Sequence, residues 1–450
     1  MFRRRVRDKN VRVSGTLRAH FGERPLETIV TASRTFPITA RADLQRALET
    51  VFDERPSARL LGVHPQYTHD TVTFAHLARD GEYGVLVGPL QYDEVDTGDG
   101  AARRCLKHGL WLARAEDTPF SVLLAPAERY GHTEGVHVEI AVPAGETGHE
   151  LSRRYFDELE RLINESGSYR GKVISLEQSH IYSGRAGAVK VHRLHTVRRE
   201  DVILPEKTLR LLDRNVTEFV AQRESLSKLG MPTKKGLLFY GSPGTGKTHT
   251  IHYLAGELPN HTTLLVTAEQ VGLLDDYFQL ARFLQPAMIV IEDVDLIARE
   301  REHMRNVCQE VLLNKLLNEM DGLREDAALL FVLTTNRPEH LEAALASRPG
   351  RIDQAIEFPL PDDEGRSKLI RLYSRGLSLP REVEGLIVKK TAGGSGAFIK
   401  ELMRRCAQYQ LRGVSNGSVC PRDVEAAMEE MLFGGGTLNR ALLGATNCKP

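Results

Sequence analysis

No run of apolar residues approaches the ~18 that a membrane-spanning helix needs, so no transmembrane span is expected. Charge of one sign is lacking too. Sixty Lys and Arg balance sixty Asp and Glu, leaving no global field to steer the chain toward nucleic acid or an anionic membrane. The five cysteines (Cys105, Cys308, Cys406, Cys420, Cys448) are odd in number, scattered and never in CxxC spacing. That pattern argues for reduced thiols in a cytoplasmic setting rather than a disulfide framework. Sixteen histidines supply no HExxH and no Cys/His cluster with metal-ligand spacing; His192 and His195 stand isolated in strand and linker. Internal repeats are absent. The one basic concentration, Arg3, Arg4, Arg5, Arg7, Lys9 and Arg12, reads as a solvated terminus, with a targeting peptide or an arm for an anionic partner as alternatives. Asp8 and the want of an apolar run argue against a secretory signal.

What remains is the composition of a soluble globular protein, 41% apolar and 27% charged. At 450 residues it is too long for one core, so two or three domains are expected. Over residues 1–195 the patterns mix. Leu44, Ala47, Leu48 and Val51 keep helical spacing, whereas Val136, Val138, Ile140 and Val142 alternate as a half-buried strand does. Thr147 and Glu150 form a capping-box pattern ahead of the apolar helix face Tyr155, Phe156, Leu159, Leu162 and Ile163. Residues 171–178 and 188–194 read as strands, which makes this an N-terminal α+β domain with no catalytic motif. From Asp201 onward the pattern becomes regular: a helical stretch over 206–223, then strands near 236–240, 262–267, 287–291 and 328–334 alternating with helices. Such alternation predicts a parallel sheet with helices on both faces, an α/β domain over 196–360. A small C-terminal helical lid is expected over 361–432 and a loose tail over 433–450.

Chemistry gathers within residues 241–351. Gly241-Ser242-Pro243-Gly244-Thr245-Gly246-Lys247-Thr248 fits G-x-x-x-x-G-K-[ST] in full, follows the apolar strand Leu237-Leu238-Phe239-Tyr240 and opens a helix at His249. Glycines let successive amides curl around a phosphate, and the helix N-terminus adds positive potential. Lys247 would reach the β- and γ-oxygens, and Thr248 would offer its hydroxyl to Mg²⁺. The strand Met288-Ile289-Val290-Ile291 ends in Glu292-Asp293, with Asp295 two further on. Carboxylates at such a tip can hold hydrated Mg²⁺ and polarise the attacking water. Asn336 ends the next strand, and Arg348-Pro349-Gly350-Arg351 offers cations for transition-state charge.

Together these motifs resemble the AAA ATPase family of P-loop proteins, with a valosin-type core, over roughly residues 201–431. The stretches LGMPTKKGLLFYGSPGTGKT, LLNEMDGL, TTNRPEHLEAALASRPGRID and TAGGSGAFIKEL lie in family order. The resemblance implies a homo-hexameric ring with ATP and Mg²⁺ between subunits. It makes Asn336 a γ-phosphate sensor, and Arg348 and Arg351 fingers reaching the adjacent protomer. It also places Asp201, Val202 and Ile203 beside adenine, with Ser395, Gly396 and Ala397 on its other side. The family's usual Asp-Glu order is reversed, giving Glu292 the metal role and Asp293 the water role. A subgroup that includes the mitochondrial Rieske-protein translocase ATPases shares that order. Tyr373 replaces a frequent His near the ribose. The segment from Ala268 to Asp276, where threading relatives carry an aromatic pore loop, has no aromatic before Gly272. Leu273 and Leu274 are its candidate pore-facing side chains, while Tyr277 and Phe278 read as the buried face of the next helix.

The reading that results is an ATP-hydrolysing motor that remodels, disassembles or translocates protein clients, gripping them or an adaptor through residues 1–195. A rim or oligomerisation role for that region is the plainer alternative. A nucleotide-gated scaffold with slow hydrolysis is the second hypothesis. A nucleic-acid-handling machine is disfavoured by the neutral charge and the lack of a DNA-binding module.

Overall fold

The computed structural model describes residues 11–53, 55, 57–65, 70–81, 84–129, 131–178, 186–258, 260–297, 318–319, 322, 324–340, 352–411 and 418–432. The chain divides into two compact units: Met1–His192 with Gly272–Leu284, and Arg193–Val271 with Gln285–Pro450.

The first unit is built on an antiparallel sheet. Its elements in chain order are α1 (Val13–Phe21), β1 (Ile29–Phe36), α2 (Arg41–Asp53), β2 (Arg59–His64), α3 (Phe74–Ala78), β3 (Leu86–Gly88), β4 (Gln91–Val95), β5 (Arg103–Ala115), β6 (Thr118–Arg129), β7 (His132–Pro143), α4 (Glu146–Ser166), β8 (Val173–Gln178) and β9 (Ala186–His192). The strand order is β1-β7-β6-β5-β2-β3, with β4 also paired to β5. On one face, Val136, Val138, Ile140 and Val142 pack with Leu44, Leu48, Tyr155 and Leu159 of α2 and α4. On the other, Leu110, Leu112, Leu123 and Ala141 pack with Leu17, Phe21 and Leu77 of α1 and α3.

The alternation on β7 therefore does not mark a half-buried strand. His137 and Glu139, which occupy the outward-looking positions, are only 8% and 7% exposed. The carboxylate of Glu139 accepts the backbone N–H of Phe74 at 2.5 Å, so the start of α3 satisfies it. Nor does the capping box form: α4 starts behind Gly145, whose φ of 125° turns the chain, and no side chain caps it. β8 and β9 form an antiparallel hairpin. His192 engages Ser175 Oγ across it at 2.7 Å.

The second unit opens with α5 (Glu206–Leu212), a π-helical turn (Asp213–Thr217) and α6 (Glu218–Lys228), so the helical stretch runs further than residue 223 and carries an irregular turn. Then come β10 (Lys235–Tyr240), α7 (Lys247–Glu257), β11 (Thr262–Val266), α8 (Leu274–Phe283, grouped with the first unit), β12 (Ala287–Ile291), α9 (Val294–Ile297), β13 (Leu329–Thr335) and β14 (Gln354–Glu357). The five strands of this unit pair in parallel in the order β14-β10-β13-β12-β11. The expected long helix after β12 is described only over α9; its remainder lies outside the described residues. Four more helices follow, α10 (Asp363–Tyr373), α11 (Arg381–Lys390), α12 (Gly396–Leu411) and α13 (Pro421–Leu432), around a separate core that includes Ile370, Ile387, Phe398, Leu402 and Val424. Register sets Tyr240 of β10 beside Thr335 of β13, and Ile291 of β12 beside Leu333. The C-terminal tips of three strands thus end together, where open α/β sheets bind ligands.

Candidate active site

The loop between β10 and α7 follows from its glycines. Gly241 has φ 149°, and a Cβ there would stand 2.2 Å from Phe358 O, so no side chain fits. Gly244 has φ 78° and passes close under Ser395 and Ala397 of the helical subdomain; its carbonyl accepts the Ala397 N–H at 3.1 Å. The chain then enters α7 at Lys247, which is only 7% exposed. Its ammonium donates to Gly241 O (2.7 Å), Ser242 O (3.1 Å) and Asn336 Oδ1 (2.8 Å). Burial pushes the Lys247 pKa down to about 8, against the pull of Asp293 and Asp295. Three oxygen acceptors favour the charged form, so the lysine holds its proton at neutral pH.

Asn336 spans the site. Its amide nitrogen donates to Asp293 Oδ1 at 2.9 Å while its oxygen accepts from Lys247. Its backbone N–H and the Thr335 hydroxyl both donate to Asp295 Oδ1, at 3.2 and 2.9 Å. Asp295 is thereby buried and anchors the tip of β13. Desolvation, reinforced by Asp295, holds the Asp293 carboxyl above its ordinary value, opposed by Lys247 and Asn336. Glu292 accepts the Thr248 hydroxyl at 2.8 Å, bringing carboxylate and hydroxyl to one point.

The backbone accounts for the inverted acidic pair. Asp293 has φ 49°, the left-handed region, and donates its N–H to Thr334 Oγ1 at 2.9 Å. A short polar Asp adopts that conformation more readily than a Glu. The extra methylene of Glu292 in turn supplies the reach to Thr248.

A cleft of about 800 Å³ adjoins these groups. Of the phosphate-loop residues, Pro243 to His249 line it, as do Asp293 and Asn336. Asp201, Val202 and Ile203 line it from one side, and Gly396, Ala397 and Tyr373 from the helical subdomain. His249 Nε2 lies 3.2 Å from Asp201 O. Gly241, Ser242 and Glu292 are not on its wall; Gly241 and Ser242 meet the site through Lys247, and Glu292 through Thr248. Ser395 is fully buried behind Gly244. Arg348 and Arg351 lie outside the described residues. Lys368 and Lys400 also line the cleft; Lys368 lies in none of the stretches singled out above, and Lys400 lies in TAGGSGAFIKEL without a role assigned to it. The donor set of a hydroxyl and a carboxylate consists of hard oxygens and fits Mg²⁺.

Leu273 and Leu274 do not face a pore: both are buried, at 0% and 1% exposure, so that reading is corrected. Tyr277 and Phe278 are buried in α8, as the helix pattern indicated. Among the described residues Cys105, Cys406 and Cys420 are free thiols.

Comparison with known proteins agrees with this geometry. Residues 237–360 match the model of the family described as ATPase family associated with various cellular activities (AAA). The chain is 32% identical over 261 residues to the proteasome-activating nucleotidase of Methanocaldococcus jannaschii, covering 55% of this chain and 60% of that protein. It is 31% identical over 236 residues to the ATP-dependent zinc metalloprotease FtsH of Thermus thermophilus, covering 49% and 37%. Identity to the cell division cycle protein 48 homolog of Archaeoglobus fulgidus is 31% over 224 residues, covering 48% and 30%. The match thus spans 60% or less of each of these relatives.

Proposed function

We propose that the chain is an AAA ATPase, a reading supported by the family match over residues 237–360, that it hydrolyses ATP with Mg²⁺ and that, as one subunit of a homo-hexameric ring, it converts hydrolysis into work on protein clients. The observation that carries the reading is the Lys247–Asn336–Asp293 chain beside the Thr248–Glu292 pair, joining a cation, an amide and two carboxylates at three strand tips. The loop amides would receive the phosphates, and Lys247 would exchange its carbonyl partners for β- and γ-oxygens. Thr248 and Glu292 would hold Mg²⁺, Glu292 through water. When bound there, Mg²⁺ neutralises charge on the phosphate oxygens. Asp293, with a raised pKa, is a stronger proton acceptor than an ordinary carboxylate and would orient the attacking water. Asn336 would fix Asp293 and sense the γ-phosphate. Asp201, Val202, Ile203 and Tyr373 would bound adenine and ribose against Gly396 and Ala397. Arg348 and Arg351 would complete the site of the neighbouring subunit.

A proteasome-activating nucleotidase and an ATP-dependent zinc metalloprotease are both named for work directed at proteins or proteolytic machinery. The protein client is therefore carried over and the proteolysis is not, since this sequence has no HExxH. Residues 1–195 would bind the client or an adaptor. No helix among the described residues is long and apolar enough to cross a membrane, and a cytoplasmic location fits the free thiols. The scaffold reading draws on one feature: Asp293 is a methylene shorter than glutamate and already holds Asn336, which shortens its reach to water. Turnover decides between them. Assembled wild-type protein should release phosphate over many turnovers, and Lys247→Ala and Asp293→Asn should each abolish it. A wild-type rate indistinguishable from Lys247→Ala would leave the scaffold.

A further inference from the structure

β1 ends its sheet on one side and, among the described residues, pairs only with β7. Register decides where its backbone groups point. The N–H of Ala144 donates to Thr28 O at 3.2 Å, which makes that pair the bonded one. Alternation along an antiparallel ladder then turns the N–H and C=O groups of Ile29, Thr31, Ser33 and Thr35 away from β7. Pro143, opposite Ile29, has no N–H to give, which agrees. The Ile29 N–H is taken up by Leu26 O, whereas among the described residues no hydrogen bond takes up the outward backbone groups of Thr31, Ser33 and Thr35. Thr31, Ser33 and Thr35 are exposed.

Natural edge strands are usually blunted by a bulge, a proline or a projecting charge. β1 has an unbroken register from Ile29 to Phe36 and no proline within it. Its one charge, Arg34, lies over the Phe156 ring at 4.7 Å and pairs with Glu160 at 2.5 Å. The far end of the strand opens on a cavity of about 630 Å³ within the same unit, walled by Phe36, Ile38, Ile163, Leu280 and Phe283. Three carboxylates, Glu134, Glu160 and Asp276, line it against the single guanidinium of Arg34. Arg34 and Phe36 share the α4 side of the sheet. A strand added beside β1 would set every second side chain on that side, next to the cavity.

The geometry points to a docking site for an extended protein segment, which joins β1 as an additional strand, lowers an apolar side chain into the cavity and sets Lys or Arg against Glu134 and Asp276. Backbone hydrogen bonds supply the affinity and the cavity the selection. This rests on the reading of the chain as an ATPase acting on protein clients, since it says where a client is held.

The test uses the full chain without nucleotide and an immobilised array of nonapeptides that alternate apolar residues with Lys or Arg. Glu-substituted and proline-interrupted versions serve as controls. Two variants alter exposed positions: Ser33→Pro removes an outward N–H, and Gln279→Trp fills the cavity mouth. We expect retention of the basic alternating peptides, a loss of affinity of about tenfold or more in each variant, and basal ATPase equal to wild type. No retained peptide, or equal retention by both variants, overturns the proposal. A change in the assembly's mass on Ser33→Pro with no peptide retained assigns the edge to a neighbouring copy and also overturns it. Peptide retention by a chain without turnover would sink the motor reading alone; turnover without retention would sink only this one.

Discussion

Lys247 is buried with its proton, and that sets a measurable balance. Burial holds its pKa in the folded chain at about 8, below the ordinary lysine value of 10.5. Between those values the unfolded chain binds a proton that the native chain does not, so stability rises with pH across that window. Phosphate oxygens favour the ammonium, so nucleotide binding should take up protons once the pH exceeds about 8. Calorimetric titration at about pH 8.5 in two buffers of different ionisation enthalpy should show that uptake; Lys247→Arg should remove it. Asn336→Ala deletes the bridge between Lys247 and Asp293. Its turnover number should fall about 10²-fold with nucleotide affinity little changed, as for a lost transition-state donor. At this scale the phosphate loop was legible, because its residues are consecutive and their order is the chemistry. The Thr335–Asp295 anchor was not, because it joins residues forty positions apart, one on β13 and one in α9.

In α8, the Tyr277 hydroxyl accepts the buried N–H of Leu176 on β8 at 2.7 Å, and Asp276 accepts that of Ala186 on β9 at 2.7 Å. Tyr277→Phe removes the hydroxyl that accepts the Leu176 N–H in the buried interior, which should cost about 1–3 kcal/mol. Urea denaturation of the full chain should show a lower midpoint for the first transition. The periodicity of α8 was plain in the sequence, and so was the burial of Tyr277 and Phe278. Its partners were not, because they depend on hydroxyl and carboxylate contacts with segments about ninety and a hundred residues earlier. β7 misled for a related reason: Glu139 resembles a solvent-facing residue until α3 is seen to supply it with an amide. At the start of α4 the capping pattern gave way to Gly145, whose positive φ turns the chain without a side-chain cap.

For the whole molecule, the parallel sheet followed from the regular strand–helix alternation after Asp201, whereas the earlier residues announced no topology because antiparallel pairing is set by register rather than motif. If active sites are completed between subunits, Arg348→Ala should lose hydrolysis and still bind nucleotide. Mixing it with Lys247→Ala subunits should restore part of the activity, since some interfaces then pair an intact loop with an intact arginine. Phosphate release from mixed rings that stays at background at every ratio would rule out sharing. The membership of Gly272–Leu284 in the first unit has a consequence for synthesis. As the chain leaves the ribosome, this unit cannot close when residue 192 emerges. It must wait, with the Leu176 and Ala186 amides of β8 and β9 lacking their α8 acceptors, until the β10 loop and β11 have been made and α8 arrives. Birth order thus ties the two units: the phosphate loop is already present when the first unit finishes folding.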